Sequence, residues 1–289
     1  MGTRKSSEGS IGRIKGNVER AAKKAEFSPL MEALTRLGYG ARGLIYITMG
    51  LLAVSVTLGI GGAITDQQGA IAAIGRQPAG LVLLWVILIG LVSYSLWGVI
   101  RAVLDPLHKG HDLKGLIARG GFLLSAAGYI LLIPSTYGFI SGAGSTAQNK
   151  GQTQLSMASV MSTPLGRGAI AIIGMAVIVN GIYQIYTGFN ASFDKQFSTY
   201  AMTPKEVKLA TQIGRIGTAT RGFVFALVGV LLFQAGLQSN PSQGIGIDSA
   251  LTALLHQPYG IWLLGIVGIG LIAFGVYSIL SAAWFRMKR

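Results

Sequence analysis

The sequence predicts an all-α membrane protein in which six transmembrane helices form three helical hairpins of one repeated type. Three observations predict it: six long apolar stretches, an uneven distribution of basic residues, and a motif that recurs three times. Hydrophobic residues make up 51% of the 289 positions and charged residues only 12%, whereas soluble domains carry about 25% charged residues. Most of the surface is therefore expected to face lipid.

Six stretches are long and apolar enough to span a bilayer. At a rise of 1.5 Å per residue, about 20 helical residues cover the roughly 30 Å hydrocarbon layer. None of the six contains a charged residue or a histidine, and they cover residues 43–60, 80–100, 120–140, 169–188, 222–237 and 260–285. Six such segments in one lightly charged chain disfavour the alternative of buried helices in a soluble protein.

The basic residues predict the orientation. Of the 24 Lys and Arg residues, all but Arg76, Lys150 and Arg167 lie before the first span, after the second, after the fourth, or after the sixth. The positive-inside rule then places both termini in the cytoplasm of a bacterial inner membrane. Topology explains the net charge of +14, so we expect no nucleic-acid partner. Anionic lipids of the cytoplasmic leaflet are the expected partners.

Residues 1–28 form a basic N-terminal segment, in which apolar positions between Ile11 and Ala25 share one helical face. Such a segment either lies on an anionic leaflet or stays a solvated tail. The sequence leaves both interpretations open.

Three copies of a two-helix unit follow, at 29–105, 114–190 and 204–286. In each copy the first span begins at an Arg-Gly pair and the second at an x-Pro-x-Gly motif. The motifs are Gln77-Pro78-x-Gly80, Thr163-Pro164-x-Gly166 and Gln257-Pro258-x-Gly260. Tandem hairpins of one orientation predict an arrangement around a pseudo-threefold axis along the membrane normal.

Two further kinds of helix are predicted outside the spans. Thr203-Pro204-Lys205-Glu206 has the residues of a helix start, which predicts a surface helix from Pro204 to Arg215, with a counterpart from Pro29 to Arg36. The apolar spacing before Pro78 and Pro258 predicts short amphipathic helices at the outer surface.

These motifs resemble a bacterial membrane family, that of the domain of unknown function 1206. The resemblance covers about residues 34 to 286, and the run from Ala250 to Gly260 is its most specific part. The second copy departs most, with Thr163 in place of Gln and Arg119 one residue out of step. The resemblance implies a fold and a membrane location, and it implies no particular activity.

Two sets of residues are candidates for a site. Arg42, Arg119 and Arg221 occupy one repeat position and would form a cytoplasmic ring able to hold an anion or a lipid headgroup; the alternative is that each only anchors a helix start. Tyr94, Asn180 and Gln184 could line an intramembrane polar patch. The alternative for Asn180 is a hydrogen bond between helices.

Several classes of function are disfavoured. The chain has no cysteine, and none of its ten carboxylates lies within a span. Proton- and cation-coupled transport generally needs an intramembrane ionisable group, and no nucleophile–base pair is evident. His108 and His111 are spaced like a pair of metal ligands, but no further ligand lies at a usual spacing. We therefore expect no catalytic activity, metal or cofactor.

Three functions remain open. The first and favoured one is a structural or interaction protein that self-associates or joins a larger membrane complex, because small residues are abundant. The second is a channel or carrier for a small neutral or anionic solute. The third, lipid or pigment binding, has the least support.

Overall fold

The chain forms helices separated by short connections in the computed structural model, which describes residues 29–105, 110, 112–144, 146–190, 203–238 and 246–284. No strand occurs within those ranges, so the all-α prediction is confirmed. The predicted basic segment 1–28 lies outside the described residues. The helices are α1 (Pro29–Thr57), α2 (Gln67–Gly75), α3 (Gly80–Leu104), α4 (Leu113–Ser141), α5 (Thr146–Met161), α6 (Pro164–Asn190), α7 (Pro204–Gln238), α8 (Ile247–Leu255) and α9 (Gly260–Trp284).

Six of these helices are long and apolar enough to cross a membrane, namely α1, α3, α4, α6, α7 and α9. They expose large apolar side chains over much of their length, including Leu131 (71%), Ile172 (72%) and Trp262 (76%). A water-soluble protein rarely exposes so many large apolar groups together. The predicted six-helix membrane architecture is confirmed.

The first helix of the third hairpin is longer than predicted. Its start is as expected, because the Thr203 hydroxyl accepts from the Glu206 N–H at 3.4 Å and the Glu206 carboxylate accepts from the Thr203 N–H at 2.7 Å. The predicted surface helix and the fifth span are, however, one continuous helix, α7. The surface helix predicted from Pro29 is likewise the beginning of α1.

The x-Pro-x-Gly motif forms the same tight turn in the first and third hairpins. The Gly80 N–H donates to the Gln77 carbonyl and the Gly260 N–H to the Gln257 carbonyl, each at 2.8 Å. The residue after proline has a positive φ, 62° at Ala79 and 61° at Tyr259. A Cβ at Gly80 would lie 2.2 Å from the Gly75 carbonyl oxygen, so glycine is needed there. The turn joins a short helix to a long one at a fixed angle.

The long helices pack side by side in the cyclic order α1, α3, α4, α6, α7, α9 and back to α1. The closest pairs join different hairpins: α6 with α7, α1 with α9, and α3 with α4. Each hairpin therefore packs mainly on its neighbours. The pseudo-threefold axis itself stays a prediction.

Glycines bring the closest pair into backbone contact. They recur at every seventh residue on the facing sides of α6 and α7, at Gly174, Gly181, Gly188, Gly222, Gly229 and Gly236. A Cβ at Gly229 would lie 2.6 Å from the Ile178 nitrogen, and one at Gly181 would lie 2.6 Å from the Ala226 nitrogen. Such packing by small residues holds helices together where lipid removes the hydrophobic driving force.

The short helices α2 and α8 close one end of the bundle. Both direct an apolar side inward, and the side chains of Ile71 and Leu251 are completely buried. The Asp66 carboxylate caps α2 by accepting from the Gly69 N–H at 2.9 Å. The amphipathic helices predicted before Pro78 and Pro258 are confirmed, and their apolar sides form part of the core.

Candidate functional site

Three arginines lie buried inside the bundle, and we call Arg42, Arg101 and Arg221 the arginine cluster. Their exposed fractions are 7%, 5% and 6%. Arg42 and Arg221 lie near the middle of α1 and α7, about 20 Å or more along the helix axis from either end. Arg101 lies one turn before the end of α3. These arginines are buried because they lie on the inward-facing sides of long helices. No loop carries them into the core.

Arg42 is held by hydroxyl groups and aromatic rings. Its Nη1 donates to the Tyr94 hydroxyl at 2.5 Å and its Nε to the Ser278 hydroxyl at 3.1 Å. Its guanidinium carbon lies 4.7 Å from the centre of the Tyr39 ring and 4.9 Å from that of Phe274. Aromatic faces attract a cation, but none of these partners carries a negative charge.

Arg221 has an acceptor for each of its three nitrogens. Its Nε donates to the Tyr46 hydroxyl at 3.0 Å, its Nη1 to the Gln184 side-chain oxygen, and its Nη2 to the Ser125 hydroxyl at 3.5 Å. The Phe225 ring centre lies 4.2 Å from its guanidinium carbon. Arg221 thus links four helices through neutral partners.

Arg101 is the least satisfied of the three. Its Nη1 donates to the Tyr39 hydroxyl at 3.3 Å. Its Nε and Nη2 are buried and have no hydrogen-bond acceptor among the residues that the structure describes. The rings of Phe122 and Tyr94 lie 4.5 and 5.4 Å from its guanidinium carbon.

Shared rings join the three arginines into one site. Tyr94 contacts both Arg42 and Arg101, at 4.9 and 5.4 Å from its ring centre. Phe274 contacts both Arg42 and Arg221, at 4.9 and 5.1 Å. Hydroxyl-bearing rings surround them, and the Tyr129 ring packs edge-on to Tyr94 at 4.8 Å.

The cluster has no carboxylate to balance it within the described part of the chain. The one ion pair found there joins Arg36 and Glu32, at 2.7 Å near the start of α1. Asp66 and Asp112 cap helices, Asp112 through the Gly115 N–H at 3.1 Å. Burying a charge without a counter-charge costs several kcal/mol. Three unbalanced positive charges therefore favour a bound anion.

The two predicted sets of residues largely form one site. Tyr94 and Gln184 from the polar patch are the hydrogen-bond partners of Arg42 and Arg221 from the ring. Asn180 is also buried; its side-chain oxygen faces Gly121 and its Nδ2 has no acceptor among the described residues.

Arg119 is placed differently from the other two members of the predicted ring. It donates to the carbonyls of Ala102 and Val103 at 2.7 and 3.3 Å, at the carboxyl end of α3. Ser278 and Gln184, the partners of Arg42 and Arg221, occupy one repeat position, counted from Gly260 and Gly166. The first copy has Gly98 at that position, which offers no acceptor side chain and packs against Ala126.

Sequence reasoning missed Arg101. It falls one residue past the predicted second span and was counted among the basic residues that set topology. The corresponding positions of the other copies hold Thr187 and Ser281, so the repeat gave no signal. Groups of three or more His, Cys, Asp or Glu that could hold a metal are absent from the described residues.

Comparisons with known proteins agree with the repeat. The family described as Domain of Unknown Function (DUF1206) matches the chain twice, over residues 37–105 and 216–284, which are the first and third hairpins. An uncharacterized protein of Bacillus subtilis (strain 168), YxxB, is 33% identical over 264 residues, which cover 91% of this chain and 94% of the relative. No solved structure matches the chain. This six-helix membrane protein therefore belongs to the DUF1206 family.

Proposed function

We propose that the protein binds a small anion at the arginine cluster and carries it across the membrane. The observation that supports this most directly is the burial of three guanidinium groups without a described carboxylate partner. An intramembrane charge generally marks a substrate or ion pathway. A bound anion would supply the missing negative charge in surroundings of low dielectric, where the attraction is strong.

The packing favours a carrier over an open channel. Arginine and aromatic side chains from α1, α3, α7 and α9 contact one another in the interior. The short helices α2 and α8 cover one end of the core with fully buried apolar groups. An anion in the cluster would thus be enclosed, and release would require helices to move.

The membrane and orientation are part of the proposal. A bacterial inner membrane with both chain ends in the cytoplasm follows from the distribution of Lys and Arg. The end closed by α2 and α8 is then the outer end. Self-association, the function first expected from the abundance of small residues, stays a prediction without a supporting contact.

Anion-dependent stability and flux test the proposal. Purified protein in a zwitterionic buffer should gain thermal stability as an anion is added, by about 2.7 kcal/mol at one hundred times the dissociation constant. Reconstituted vesicles should take up the same anion. Arg42→Gln and Arg221→Gln should weaken both effects at least tenfold.

The matched control is Arg76→Gln, which removes one positive charge from an exposed position. It should leave the affinity for the anion unchanged. Equal responses of all three variants, or no stabilisation by chloride, nitrate, sulfate, phosphate or acetate, would contradict the proposal.

A further inference from the structure

Arg101 differs from the other two arginines in which of its atoms are satisfied. Each nitrogen of Arg221 has an acceptor, and Arg42 donates from Nε and Nη1. Arg101 has a single acceptor, at Nη1, and two buried nitrogens without one among the described residues. Among the three arginines, the buried nitrogens that lack an acceptor within the described residues therefore belong to Arg101.

The two open nitrogens form a defined edge of the guanidinium group. Nε and Nη2 point their N–H bonds in parallel, in the fork that accepts two oxygens of one carboxylate, phosphate or sulfate. The opposite side, through Nη1, is bound to the Tyr39 hydroxyl. The fork is therefore fixed in direction by the protein, and its two buried nitrogens lack an acceptor at the edge suited to an oxyanion.

Aromatic rings hold the plane of this fork. The ring centres of Phe122, Tyr94 and Trp97 lie 4.5, 5.4 and 5.6 Å from the Arg101 guanidinium carbon. Aromatic contacts stabilise a guanidinium group while leaving its N–H bonds available. The side chain is thus positioned before any ligand arrives.

A second unused donor lies nearby. The Tyr129 hydroxyl is buried without a hydrogen-bond partner among the described residues. Its ring packs against Tyr94 at 4.8 Å, and Tyr94 is also one of the rings beside Arg101. Tyr94 thus contacts two side chains whose buried donor atoms have no acceptor among the described residues.

We infer that the fork of Arg101 binds an anion with two oxygens on one atom, that is, a carboxylate, phosphate or sulfate group. This inference rests on the proposed anion-binding function and names its ligand class. A halide has no pair of oxygens to match the fork. Selectivity for oxyanions over chloride is therefore expected to arise at Arg101.

Arg101→Lys tests the fork separately from the charge, because lysine keeps the charge and loses the two parallel donors. Binding of sulfate, phosphate, acetate and chloride would be measured by calorimetry and by thermal unfolding. The variant should bind the three oxyanions at least tenfold more weakly than the native protein, with chloride binding changed by less than threefold.

The outcomes separate this inference from the proposed function. If the native protein binds anions and Arg101→Lys binds sulfate equally well, the fork is not the ligand site although the cluster still binds anions. If chloride binds the native protein as tightly as any oxyanion, the ligand class is wrong. If no anion binds, the proposed function itself fails.

The oxyanion could be a free solute or the phosphate of a lipid headgroup, and the membrane used in the assay distinguishes them. Protein would be placed in nanodiscs of phosphatidylcholine alone or with phosphatidylglycerol, and retained lipid would be measured by native mass spectrometry. A lipid ligand should be retained by the native protein, be lost in Arg101→Lys, and block sulfate binding. A free solute should bind equally in both membranes.

A variant that fails to fold would be recognised by circular dichroism and size-exclusion chromatography. Arg101→Gln, which removes the charge as well, and the exposed control Arg76→Lys provide the comparison. If folded Arg101→Gln binds sulfate as tightly as the native protein, the inference is wrong. The same result for Arg101→Lys would also overturn it.

Discussion

At the scale of single residues, the chain keeps a positive charge where the fold does not need one. The buried Nε and Nη2 of Arg101 find no acceptor among the described residues, and leaving such a group unpaired is costly. An apolar residue at this position would avoid that cost, and the proposed anion would offset it.

Arg101→Met should therefore stabilise the protein when no anion is present. Methionine keeps much of the apolar contact with Phe122 and removes the unpaired charge, whose burial costs several kcal/mol. The midpoint of thermal unfolding in detergent should rise in anion-free buffer and no longer respond to sulfate. A lower midpoint in anion-free buffer would show that Arg101 stabilises the fold.

Sequence reasoning reached part of this site. Arg42 and Arg221 stand out because they share a repeat position. Polar groups are rare within spans, and this draws attention to Tyr94, Asn180 and Gln184. Their hydrogen bonds to one another depend on helix packing and side-chain reach, which periodicity does not specify. Arg101 escaped because a basic residue at the end of a span is usually explained by topology.

At the scale of an element, the turn before α3 explains the x-Pro-x-Gly motif of the first and third hairpins. Ala79 adopts a positive φ of 62°, which costs a residue with a Cβ about 1–2 kcal/mol. The following Gly80 has no room for a Cβ beside the Gly75 carbonyl. The two positions should respond to substitution in opposite ways.

We expect Ala79→Gly to raise the midpoint of thermal unfolding slightly, by relieving about 1 kcal/mol of backbone strain. Gly80→Ala should lower it markedly, because the new methyl group would meet the Gly75 carbonyl at 2.2 Å. Circular dichroism in detergent would measure both. A stable Gly80→Ala variant would argue against this turn geometry.

The glycines between α6 and α7 give a second prediction for an element. Gly229→Ala should destabilise the protein by separating the two backbones, since its Cβ would lie 2.6 Å from the Ile178 nitrogen. Gly128→Ala is the matched control, because a Cβ there has no neighbour within 4 Å, and alanine favours a helix by about 1 kcal/mol over glycine. Similar unfolding midpoints for the two variants would contradict the close packing.

For the two predicted surface helices, the sequence predicted the start better than the end. The start of α7 was correct because Thr203 and Glu206 satisfy each other's backbone groups locally. Its continuation through Gly217 depends on tertiary packing, since a Cβ there would lie 2.4 Å from the Phe274 backbone. Local patterns do not contain that contact, so the surface helix and the span appeared as two elements.

At the scale of the whole molecule, six apolar helices and their cyclic packing follow from composition and repetition, while the central site does not. Composition specifies that helices meet lipid on the outside. Which polar groups meet inside depends on the pairing of helices from different hairpins, such as α1 with α9. A single hairpin considered alone would therefore not predict the arginine cluster.

The chain has no cysteine, so a single introduced cysteine reports which side of the membrane it lies on. Lys150→Cys should react with a membrane-impermeant maleimide added to intact cells, because the basic-residue distribution predicts an external position. Arg289→Cys should react only after the membrane is opened. Labelling of both positions from the same side would contradict the six-span topology.

The length of α7 has a mechanical consequence. Its 35 residues extend about 50 Å, well beyond a hydrocarbon layer of roughly 30 Å, so about two fifths of the helix stands clear of the bilayer or the helix tilts strongly. Arg221 lies near its midpoint and donates to Tyr46 and Gln184 on two other helices. A change in the tilt of α7 relative to those helices would therefore strain or break these hydrogen bonds.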